Sequence, residues 1–168
     1  MGSLLFSPSG RIGPSAYMRG MLIIGAIAAA LNLVLLVSPA LGMILGIIGL
    51  VFYVCLIMMG IKRSHDAGKS GWMSVTHLLL FFGVSAALGL LLNAIGMGVS
   101  EADEAALQAA GETGDLGAVM ELTGQIAQAT AIPSAITTFL AFAITAFLVN
   151  MFNKQDMGDN QYGPVPVA

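Results

Sequence analysis

The chain is 168 residues long, 57% hydrophobic and only 9% charged, with a formal net charge of −3. An ordinary soluble domain is about 25% charged, so a mean hydropathy of +0.90 leaves too little polar surface to cover a water-soluble globule. This composition excludes a soluble nucleic-acid-binding or catalytic domain. It points to an all-α, polytopic membrane protein, read as a single membrane domain over residues 1–168.

The elements follow from the rule that a spanning helix needs about 20 mostly apolar residues, each rising about 1.5 Å, to cross a core of about 30 Å. An N-terminal arm marked by Arg11 and Arg19 leads into a first span over about 17–37, ended by Ser38-Pro39. The apolar run is too long for the h-region of a cleaved signal peptide. Phe6 stands where N-myristoylation needs Ser or Thr. A very short uncharged turn precedes a second span at about 41–61, with Cys55 in its middle as a packing residue. Next comes "KRSHDAGKSGW", Lys62 to Trp72, which holds Lys62, Arg63 and Lys69, three of the six Lys and Arg residues in the chain. The third span covers about 72–97 and opens on Trp72, an interfacial residue type.

The segment from about 98 to 131 carries Glu101, Asp103, Glu104, Glu112, Asp115 and Glu121 and no Lys or Arg. Ser100 followed by Asp103 resembles a capping box, Gly111 reads as a helix stop, and Leu116, Val119, Met120 and Ile126 share one helical face. Two short helices are therefore expected here. A fourth span runs over about 132–152, with Pro133 in its first turn, and the tail carries Lys154, Asp156 and Asp159.

Four spans place all six Lys and Arg residues on the side of both termini, and the positive-inside rule makes that side cytoplasmic. Gly25 with Ala29, Gly42 with Gly46, and Gly83 with Ala87 have the small-residue spacing that lets spans pack closely. Asn32, Asn93, Asn150 and His77 are the main polar residues in the spans. The deep charged residues usual in ion-coupled carriers are not present.

The central stretch invites two other readings, and both fail on spacing. A phosphate-binding loop needs a Gly where Arg63 stands, and a strand before it. A metal hydrolase or zinc site needs more ligands than His65, His77 and Cys55 supply. No cofactor, metal or catalytic residue is assigned.

Three segments together carry a family resemblance. "KRSHDAGKSGW" resembles the R-[RL]-x-H-D-x-G-[KR]-S-G-W signature of the bacterial inner-membrane family known as domain of unknown function 805. "FSPSGRIGPSAY", Phe6 to Tyr17, is similar to its N-terminal F-x-G-R-x-x-R-x-x-[YFW] segment, and "GDNQYGPVP", Gly158 to Pro166, to its G-x-N-x-[YF]-G-x-x-P ending. Ser64, Met73 and Pro14 depart from the residues usual in that family, and the acidic segment is longer than its norm. The resemblance implies a four-span inner-membrane protein without an assigned reaction. It groups Arg11, Arg63, His65, Asp66, Lys69, Trp72, Asn160 and Tyr162 into one cytoplasmic cap.

The leading expectation is a non-enzymatic membrane module whose cap binds a partner protein or a lipid headgroup. The alternatives are a small transporter or channel with the polar span residues facing one another, and a headgroup-directed enzyme using His65 and Asp66. Expected partners are membrane lipids and a partner membrane protein or second copy of the chain, not nucleic acid.

Overall fold

The computed structural model describes residues 7–38 and 41–166. Phe6 of the N-terminal motif and Pro39 of the first turn lie outside the described residues. Among those residues six α-helices follow one another: α1 Pro14–Val34, α2 Gly42–Asp66, α3 Ser74–Ala94, α4 Glu101–Thr113, α5 Leu116–Ala129 and α6 Ala131–Phe152, with a 3-10 turn at Gly71–Met73 before α3. Four stretches are long and apolar enough to cross a membrane: Pro14–Val34, Ile44–Asp66, Gly71–Ala94 and Ala131–Phe152. At about 1.5 Å per residue, the 21 residues of α1 rise about 32 Å. The expected all-helical, four-span class is the one found.

Large apolar side chains face outward on these helices, among them Ile23, Ile27, Ile47, Leu50, Leu79, Leu90 and Phe147. In a bilayer they meet lipid tails that are as apolar as themselves, so burying them gains little and the interior can be built from small residues. Gly20, Gly25 and Ala28 of α1 are buried, as are Ala141, Phe142, Thr145, Ala146 and Val149 of α6. A Cβ built at Gly25 would lie 2.8 Å from the Phe142 Cβ, so this glycine sets how closely the first and last spans approach. The small-residue expectation holds there and fails elsewhere. A Cβ at Gly46 or Gly83 meets nothing within 4 Å, and one at Gly42 meets only Leu35 at 3.6 Å. The tight contact of α2 with α3 is instead at Gly60, whose Cβ would come 3.0 Å from His77 Nδ1 and 3.2 Å from Ser74 Cβ.

The second helix does not stop where the charges begin. Its last turn contains Arg63 and His65, and the helix reaches Asp66, which corrects the expected end near residue 61 and the reading of 62–71 as loop. Gly68, at φ +68°, takes the left-handed position after the helix. Lys69 N–H donates to Ser64 O at 2.9 Å and Gly68 N–H to His65 O at 3.0 Å, the paired bonds of a Schellman stop. Gly96 (φ +72°) ends α3 in the same way, with Met97 N–H on Leu92 O and Gly96 N–H on Asn93 O.

The acidic segment forms the two expected helices. Ser100 caps α4, accepting from Asp103 N–H at 3.1 Å, and Asp115 caps α5, accepting from Ala118 N–H at 3.0 Å. Gly111 is not the stop. The helix continues through it to Thr113, and Gly114 (φ +70°) terminates it, because one interior glycine costs a helix only about 1 kcal/mol. The pair is tied to the bundle where the Gln128 side-chain amide donates to Leu36 O at 2.9 Å.

Candidate functional site

Both described ends of the chain fold onto the elbow between α2 and α3. The N-terminal arm arrives first. Ile12 is 3% exposed, its N–H donates to Lys62 O at 3.3 Å, and its burial fixes the neighbouring Arg11 over the end of α2. The tail arrives after α6, where Asp156 N–H donates to Asp66 O at 2.8 Å. The tail then reverses at an Asn160–Gly163 bridge, with Gly163 at φ +129°.

At the centre lies an ion triad. Asp66 Oδ2 accepts from Arg63 Nη1 at 2.7 Å, and Asp66 Oδ1 accepts from Arg11 Nη2 at 3.2 Å and Nε at 3.3 Å. The side chains of Arg11, Arg63 and Asp66 are at most 1% exposed. Two guanidiniums and one carboxylate leave a surplus positive charge, and burying it is tolerable only where other acceptors share it. Arg11 Nη1 donates to Gly158 O at 2.8 Å and Gly163 O at 3.2 Å, and its Nη2 donates to Asp156 O at 2.6 Å. Arg63 Nε donates to Asn150 Oδ1 at 2.8 Å, and its Nη2 donates to Asn153 O. The partial negative charges of tail carbonyls thus complete the shell of both arginines. The planar fork of Arg suits this role better than a flexible ammonium would.

A second chain of contacts runs beside the first. Asn153 is 4% exposed, and its Oδ1 accepts from Lys69 Nζ at 2.7 Å. Because an ammonium only donates, this fixes the amide orientation, and Asn153 Nδ2 then donates to His77 Nε2 at 2.8 Å. His77 therefore carries its hydrogen on Nδ1, against Gly60. On the outer side His65 Nδ1 donates to Gly10 O at 3.1 Å, and its ring stacks on Tyr162 with centroids 3.8 Å apart. Asn160 Nδ2 donates to His65 O at 3.0 Å and to Asp156 Oδ2 at 3.3 Å. Bonds from Gly158 N–H and Asn160, with Arg11 nearby, hold the Asp156 carboxyl below its ordinary value of 3.8.

Of the residues grouped by resemblance, Arg11, Arg63, His65, Asp66, Lys69, Asn160 and Tyr162 join this network. Trp72 stands outside it, 83% exposed, its backbone N–H donating to Ser70 Oγ at 3.4 Å. The sequence does not single out Asn153, Asp156 or Gln155, whose Nε2 donates to Asp66 Oδ1 at 3.4 Å, and it marks Asn150 only as a polar residue within a span. The available signal was the polar run Asn153-Lys154-Gln155-Asp156 placed directly after the fourth apolar segment. The four polar span residues do not face one another. Asn150 serves Arg63 and Pro14 O, His77 serves Asn153, Asn32 bonds Ala28 O and Thr138, and Asn93 is exposed.

The cap, the elbow and the tail all fall within one family match. The model of a protein family of unknown function (DUF805) matches residues 5–164. No curated protein and no solved structure matches the chain.

Proposed function

The chain belongs to that family of unknown function (DUF805), and from this premise and the geometry of the cap we propose a non-enzymatic integral module of the bacterial inner membrane, both termini cytoplasmic, whose cap rim seats on anionic lipid headgroups. The observation that carries this reading is a division of labour among the cations. Arg11 and Arg63 are consumed inside the protein and Lys69 donates inward to Asn153, whereas Arg19 and Lys154 are exposed at the same end of the bundle as exposed Trp72. Anionic leaflets attract such cations by about 1 kcal/mol each, and Trp is favoured at headgroup depth. The buried triad makes the rim rigid, so little ordering cost opposes the contact. The absence of Lys and Arg from α4 and α5 supports the orientation by the positive-inside rule.

A headgroup-directed enzyme draws no support from this geometry. Asp66 is enclosed by two arginines, and His65 is committed to Gly10 O and Tyr162. Nor does the scatter of Asn32, Asn93, Asn150 and His77 support a polar path for a transporter.

Trp72 is the chain's single Trp, which makes the test direct. The protein is placed in nanodiscs of phosphatidylcholine with or without phosphatidylglycerol. Anionic lipid should shift Trp72 emission and remain attached in native mass spectrometry. An Arg19→Gln/Lys154→Gln double variant should lose most of that retention. No preference for phosphatidylglycerol, together with a stoichiometric protein co-purifying from native membranes, would replace the headgroup reading with a protein-docking one.

A further inference from the structure

The half of the bundle away from the cap is built differently. From Leu41 to Val54 no described side chain of α2 is buried, whereas Cys55, Leu56 and Met59 lie in the core. The helix therefore stands off from its neighbours over its first three turns, and a cleft of about 440 Å³ lies between all four spans. Asn32 of α1, Gly46 and Tyr53 of α2, Ser85 of α3 and Thr138 of α6 line it, above an aromatic floor that includes Phe81. This volume is in the range of small-molecule sites.

Three features define what fits. None of the described residues that line the cleft is charged, which suits a neutral occupant. Among the described residues the hydroxyls of Tyr53 and Ser85 make no hydrogen bond, and Thr138 Oγ1 is engaged only as the acceptor from Asn32 at 3.4 Å. The O–H groups of Tyr53, Ser85 and Thr138 are therefore all free to donate, in a medium where an unmet polar group costs several kcal/mol. The third feature is depth. The eleven residue steps from Gly42 to Tyr53 rise about 16 Å, half of a core about 30 Å thick. The donors on Tyr53 and Ser85 thus lie well inside the hydrocarbon, below the level of phospholipid headgroups.

We infer that this cleft is a binding site for a neutral, bilayer-dissolved lipid that carries carbonyl oxygens on an apolar body. Two sources share that chemistry: a prenyl quinone with ring carbonyls, and an acylglycerol with ester carbonyls. Tyr53, Ser85 and Thr138 donate to the oxygens, and the Phe81 floor takes the apolar body. The site is separate from the cap and does not rest on the function proposed for it.

The test uses the full chain in detergent with ubiquinone-2, dioctanoylglycerol or hexadecane, read by native mass spectrometry. One of the two carbonyl ligands should form a 1:1 adduct that hexadecane does not. Tyr53→Phe, which keeps the ring and removes the hydroxyl, should weaken it about tenfold. Gly49→Leu should abolish it by filling the cleft, and since a Cβ there meets nothing within 4 Å the fold should persist. Gly46→Leu provides the same reading if that variant is lost. The inference is overturned if neither carbonyl ligand binds, if hexadecane binds equally, or if the adduct survives both Tyr53→Phe and the cleft-filling change.

Discussion

Asp66 is the residue on which the cap closes, since it is the one carboxylate between two buried guanidiniums. Replacing it by Asn keeps the shape and removes the charge, leaving Arg11 and Arg63 facing one another across the same shell of carbonyls. Removing one partner of a buried ion group typically costs about 3–5 kcal/mol, so Asp66→Asn should lower the thermal unfolding midpoint in detergent by far more than a surface change. An unchanged midpoint would mean that the carbonyl shell alone suffices. Asp156 gives a pH signature at the same end of the molecule. Its carboxyl is held below 3.8 by bonds from Gly158 N–H and Asn160. The native state therefore binds fewer protons than the unfolded one. The stabilisation is fully present above the unfolded value and disappears as pH falls through the lower, folded value. An NMR titration of the Asp156 carboxyl carbon should give a midpoint below 3.8 that moves upward in Asn160→Ala.

Among the elements, α1 and α6 hold the bundle and Gly25 sets their distance. Gly25→Ala would press a methyl against Phe142 and should cost about 1–3 kcal/mol by overpacking. Gly83→Ala, with nothing within 4 Å of the added carbon, should be neutral or stabilise by up to about 1 kcal/mol through helix propensity. Thermal unfolding of the two variants side by side decides whether contact or propensity governs these positions. The contrast also shows what the sequence could not reveal. Gly25, Gly42 and Gly83 have the same i, i+4 spacing, and spacing alone cannot say which helix face another span will reach. Helix number and class were legible, because about 20 apolar residues in a row admit few other solutions. The end of α2 was not, because Lys62 and Arg63 look like the edge of a membrane segment. Only the arm and tail carbonyls make it possible for those charges to sit on a continuing helix.

For the whole molecule, the grouping of arm, elbow and tail was legible only from the resemblance of three distant motifs. Composition and periodicity place these segments on one side of the bundle, but not in contact. Of the tail residues that finish the shell, Gly158 and Gly163 lie in the C-terminal motif, whereas Asn153 and Asp156 carry none and became visible only as partners of Arg63 and Arg11. The span that separates Arg11 from its partners also has a consequence for biogenesis. Its acid lies 55 residues later in the chain, and the carbonyl of Gly163 lies 152 residues later. During synthesis both arginines therefore wait for the last stretch of polypeptide, and the cap cannot close until α6 has inserted. Chains ended after Phe152 should be degraded faster than the full-length protein in a pulse-chase measurement, even though all four spans are present. Equal half-lives would show that the bundle matures without its cap. Closure of the shell around Arg11 thus requires that the tail beyond α6 has been made, which makes it a marker of a chain whose fourth span is complete.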